Sequence, residues 1–141
     1  MLDQALTGFF ILIILVFIIL NTFEFTEHQY VQILFWGMCI PARGLLVIAA
    51  KEYNMRPLTG LMTIGFASKF AREQYRISQL DPNTPNIYGF GDGFGTPIYW
   101  HQMRLMHAIF HGLYTFNKSK NAYLFLVADL IMSIGMNIFN R

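Results

Sequence analysis

Residues Ala5 to Phe23 read ALTGFFILIILVFIILNTF, nineteen consecutive positions without a charge. An α-helix rises about 1.5 Å per residue, so a run of this length covers the ~30 Å hydrocarbon core of a bilayer. The segment therefore reads as a transmembrane helix. The residues before it, Met1-Leu2-Asp3-Gln4, carry an acid and no base. The run is longer than a signal-peptide core, and no small-x-small cleavage site follows it. It is expected to be a retained anchor rather than a cleaved leader.

The composition agrees with that anchor. Of 141 residues, 55% are hydrophobic and 13% charged, against about 25% charged in an average soluble domain. Fourteen Phe and eight Met against five Pro suit a helical membrane protein. The net charge of +2 is too small to point to a nucleic-acid partner. Cys39 is the only cysteine, which excludes an internal disulfide and a cysteine metal cluster.

Three further spans follow. The second, residues 30–50 (YVQILFWGMCIPARGLLVIAA), contains Pro41 and Arg43. The third, 100–116 (WHQMRLMHAIFHGLYTF), is short and carries Arg104, His107 and His111. The fourth, 121–139 (NAYLFLVADLIMSIGMNIF), is apolar apart from Asp129 and a few small polar residues. Asn117-Lys118-Ser119-Lys120-Asn121 is a tight polar turn, so the last two spans should form an antiparallel hairpin.

Between spans two and three lies a polar insert, residues 51–99. Pro57 suits a first helical position. Leu58, Leu61, Met62 and Phe66 recur at helical spacing, followed by Lys69, Arg72 and Arg76. The apolar part is too short to span, which predicts an amphipathic helix in the membrane interface. The second half, Asp81-Pro82-Asn83-Thr84-Pro85 through Gly89–Gly95, is turn-rich. The expected fold is one all-α membrane domain over residues 1–141: four transmembrane helices (5–23, 30–50, 100–116, 121–139), an interfacial helix and an irregular loop. Five basic residues in the insert, against Glu24 and Glu27 with no base in the first loop, place the insert and both termini on the cytoplasmic side.

Ionisable groups at membrane depth cost at least ~2.5 kcal/mol each on insertion scales, so they face inward and pair. On span three, Trp100, Arg104, His107, His111 and Thr115 form one stripe, with Leu105, Met106, Ile109, Leu113 and Phe116 on the other side. On span four, Ala122, Asp129, Ser133 and Asn140 share a face. Folding the hairpin about Ser119 brings Asp129 level with His107 and His111. Asp129 is the only acid inside a span, and its partners are expected among Arg43, Arg104, His107 and His111.

This cluster is read first as a polar staple holding helices together, because membrane helices associate through interhelical hydrogen bonds. A proton or ion path is the functional alternative. A metal at His107, His111 and Asp129 has suitable His-x-x-x-His spacing but lacks an evident further ligand, and a bis-histidine haem needs a histidine from a second span. No cofactor, metal or catalytic residue is expected. GFGDGFG at residues 89–95 lacks a GK[ST] ending and does not match a dinucleotide fingerprint. It reads as a loop that packs Phe90 and Phe94 on a surface, and with Asp92 and Trp100 it forms the expected docking loop.

The series Phe94-Gly95, Trp100, Arg104, His107, Tyr114 and Asp129, followed by an apolar run, resembles a small integral membrane protein of large nucleocytoplasmic DNA viruses such as the chlorella viruses. The resemblance covers about residues 90–140. It implies a protein of the virion's inner membrane beneath an icosahedral capsid, with no enzymatic activity. The expected partners are therefore the lipid bilayer, capsid or minor capsid proteins and other membrane subunits. Two alternatives stand beside it: an accessory subunit of a large complex in an organelle membrane, and a small ion or proton channel.

Overall fold

The computed structural model describes residues 2–79 and 100–139, apart from the side chains at 27, 28, 31, 77 and 100–102. The described chain is all helical: α1 (Leu2–Thr22), α2 (Glu27–Leu34), a π-helical turn (Phe35–Cys39), α3 (Ile40–Glu52), α4 (Arg56–Ser78), α5 (Trp100–Phe116) and α6 (Tyr123–Phe139). It forms two compact units, Met1–Met55 and Arg56–Arg141.

In the first unit, α1 is apolar over its whole length. The side chains of Thr7, Asn21 and Thr22 bond back within the helix. Thr7 Oγ1 donates to Asp3 O at 2.9 Å, Asn21 Nδ2 to Phe17 O at 2.7 Å and Thr22 Oγ1 to Ile18 O at 2.7 Å. Such back-bonding four residues along leaves no polar group seeking a partner in hydrocarbon. A capping box restarts the helix after the turn. Thr26 N donates to Gln29 Oε1 at 3.1 Å and Gln29 N to Thr26 Oγ1 at 3.3 Å.

The π-helical turn has a local cause. Pro41 has no N–H, and its ring clashes with the carbonyl four residues back, which is that of Gly37. The preceding turn widens, and Ile40 N bonds to Phe35 O, five residues back. Within that turn Gly37 lies against Val16, the buried residue of α1. A Cβ on Gly37 would sit 2.6 Å from Val16 Cγ2. Two helices, Leu2–Thr22 and Gln32–Glu52, are long and apolar enough to cross a membrane.

In the second unit, α4 runs antiparallel to α5. Thr59 meets Thr115 with hydroxyls 2.9 Å apart. Further along, Gly112 lies opposite Thr63, and Phe66 lies against His111 and His107. The insert's first half thus differs from a helix lying alone on a surface. The periodicity of Leu58, Leu61 and Phe66 suggested one apolar face, yet Leu58 and Leu61 are exposed while Phe66 turns onto α5. The reason is steric. Thr59, Gly60 and Thr63 are small, as are Ala108 and Gly112 opposite, so the close-packing face is the small one.

The α5–α6 turn is held by Asn117 and Ser119. Ser119 N donates to Asn117 Oδ1 at 2.8 Å, and Asn121 N to Ser119 Oγ at 3.2 Å. Arg56 Nη2 donates to Asn117 O at 3.1 Å, and its guanidinium lies 5.7 Å from the Tyr114 ring centroid. The start of α4 is therefore pinned beside the end of α5.

Candidate functional site

The buried residues of α6 are Leu126, Asp129, Ser133 and Asn137. Steps of three, four and four place them on one face. On α5 the buried set includes Met103, Arg104, His107, Ala108, His111 and Tyr114, while Leu105, Ile109, Leu113 and Phe116 are exposed. The two polar stripes meet because the five-residue turn fixes the register of the hairpin.

At their meeting point the Asp129 carboxylate lies between two imidazoles. His107 Nδ1 is 2.5 Å from Asp129 Oδ1. His111 Nε2 is 3.5 Å from Asp129 Oδ2. Asp129 and His111 are each 1% exposed. Among the described residues His111 Nδ1 has no hydrogen-bond partner. His107 presents Nδ1–H to Asp129 Oδ1. Asp129 is thus hydrogen-bonded to His107 and faces His111, one helical turn along α5, at 3.5 Å.

The surroundings close the trio off. Phe66 covers both rings, with centroid separations of 5.2 Å to His107 and 5.6 Å to His111. Ser133 Oγ donates to Asp129 O at 2.7 Å. Thr115 Oγ1 donates to His111 O at 2.8 Å, and Thr63 Oγ1 to Thr59 O at 2.8 Å. Further along the α4–α5 pair, Glu73 and Arg104 are both buried, and Glu73 Oε1 lies 3.4 Å from Arg76 Nη1.

The structure thus brings Arg104, His107, His111 and Asp129 into one unit. Arg43 lies half-buried in α3, in the first unit. Phe90, Asp92 and Phe94 of the expected docking loop, and Asn140, lie outside the described residues, as does the side chain of Trp100. Sequence reasoning missed Thr59, Phe66, Glu73 and Asn137. Asn137 follows Ser133 by four residues and could have been found by that spacing. Thr59 could have been found by the small residues around it. Glu73 carried no comparable signal.

All three helices of the second unit expose aliphatic side chains, and polar groups are buried among them beside Met103, Ala108, Tyr114, Ala122 and Leu126. The unit's buried polar residues include Thr59, Glu73, Arg104, His107, His111, Asp129, Ser133 and Asn137. Its exposed residues include Leu58, Leu61 and Ile64 on α4, Ile109 and Leu113 on α5, and Leu124 and Ile131 on α6. Chemically, the His107–Asp129 bond fastens α5 to α6, with His111 facing the same carboxylate. Among the described residues no group of three His, Cys, Asp or Glu is placed to hold a metal ion. No family model, curated protein or solved structure matches the chain.

Proposed function

We propose that this chain is a structural, non-enzymatic integral membrane protein that ties a bilayer to a protein assembly. In this reading α1, the span around α3, α5 and α6 lie in the membrane, and the later part of the insert contacts the assembly. The resemblance to inner-membrane proteins of large DNA viruses makes the capsid side of such a membrane the assembly. One observation supports the structural role above others. Asp129 is enclosed between His107 and His111 under Phe66, and its carboxylate hydrogen-bonds His107 across the α5–α6 contact. A group so used favours a fixed bundle over a relay, which needs titratable groups in sequence across the membrane.

The experiment has two arms. The pure protein in sealed proteoliposomes should give no proton or ion flux above that of empty vesicles. Its copurifying partners, identified by mass spectrometry, should be coat or capsid components. A flux that disappears with Asp129→Asn would replace this proposal with a channel. Copurification with a respiratory-type complex would replace it with an accessory subunit.

A further inference from the structure

We infer that α4 is immersed in the bilayer beside α5 and α6, so that lipid acyl chains cover the face that carries Leu58, Leu61 and Ile64. The inference goes beyond the reading above and rests on its placement of α5 and α6 in the membrane. Leu61 and Ile64 are 68% and 64% exposed, comparable with Ile131 of α6 at 64%. Water-soluble helices bury such residues and expose their charges. Over its uncharged residues 57–68 the third helix of the unit exposes aliphatic side chains as the other two do. Its inner face supplies Thr59, Phe66 and Glu73, and its outer face supplies branched aliphatic residues. The partner of that outer face is hydrocarbon, because it must be apolar and must surround three helices at once.

The depth of α4 follows from its pairing with α5. Arg56 bonds to Asn117 at the end of α5, and Phe66 lies against His107 and His111 near its middle. A helix held in that register descends as α5 ascends and cannot lie flat. Residues 57–68, between Arg56 and Lys69, contain no charge. The thirteen steps from Arg56 to Lys69 span about 20 Å. Lys69, Arg72 and Arg76 are exposed at the far end, where their long stems reach headgroups. Helix α5, with 17 residues, is about 25 Å long, so both helices suit the same locally thinned bilayer.

The test uses the full chain with Cys39→Ser as background and single substitutions Pro57→Cys, Ser78→Cys and Ser119→Cys, all at exposed positions. Each is labelled with a membrane-impermeant maleimide in spheroplasts and in inverted vesicles. Pro57→Cys and Ser119→Cys should react from one side of the membrane and Ser78→Cys from the other. If all three react from one side, α4 lies along the surface and the inference falls. Phe139→Cys, at the exposed far end of α6, then separates the two readings: reaction from the side opposite Ser119→Cys leaves the placement of the α5–α6 hairpin standing, and reaction from the same side overturns both. As a second measurement, nitroxides at Leu61 and Ile64 should relax strongly with oxygen and weakly with a water-soluble nickel chelate. Nickel access at Leu61 equal to that at Ser78 would also overturn the inference.

Discussion

Replacing Asp129 with alanine should be the most damaging single change in the second unit. The carboxylate hydrogen-bonds His107 and faces His111 at 3.5 Å in a buried site. Removing it strands the His107 donor, and deleting one partner of a buried pair costs about 3–5 kcal/mol. That loss exceeds the ~0.6 kcal/mol average, and the ~1.7 kcal/mol maximum, of ordinary interhelical hydrogen bonds in a membrane protein. The assay is SDS-driven unfolding in mixed micelles, followed by the near-UV circular dichroism of the packed aromatic residues. Asp129→Asn keeps one acceptor and should recover about half of the loss. A double-mutant cycle with His107→Ala should give a coupling within the ~0.5–3 kcal/mol range of directly contacting residues. A loss below about 1 kcal/mol for Asp129→Ala, or a coupling near zero, would refute the view that this carboxylate fastens the bundle.

Other substitutions test the packing around it. Thr59→Val removes a hydroxyl that meets Thr115 and should cost no more than about 1.7 kcal/mol in the same titration, less than the effect at Asp129. Gly37→Ala should destabilise the first unit, because its Cβ would press on Val16. Overpacking costs about 1–3 kcal/mol, more than the ~0.5–1 kcal/mol that alanine gains over glycine in a helix; Val16→Ala in the same chain should restore stability, measured by SDS unfolding. Pro41→Ala should let the turn Phe35–Cys39 tighten to α-helix and rotate Trp36, which quenching by lipids brominated at defined depths will detect in a Trp100→Phe background.

Much of the α5–α6 hairpin is legible in the sequence. Charged and imidazole side chains are so costly in hydrocarbon that their helical spacing marks the inward face. Arg104, His107 and His111 share such a face, and the short turn around Ser119 sets which residues of α6 they meet. The pairing of α4 is much less legible. Sequence periodicity detects its large apolar residues, Leu58 and Leu61, and in this unit those point outward. The face that packs consists of Thr59, Gly60 and Thr63, residues with little hydrophobic signal whose value lies in letting backbones approach. The π-helical turn was hidden for another reason. Pro41 advertises a disturbed helix, but a proline can kink, break or widen a helix, and the residue alone does not say which.

The trio at Asp129 also bears on how the chain is made. Judged alone at the insertion machinery, α6 carries a carboxylate and α5 an arginine with two imidazoles, and a charged residue at a helix centre opposes partitioning by about 2.5–3.5 kcal/mol. Neither helix is a strong stop signal by itself. In the proposed membrane placement, α5 and α6, joined by a five-residue turn, would leave the ribosome together and hide their polar faces from each other before either meets lipid. The hairpin, rather than either of its helices, would then be the unit that inserts.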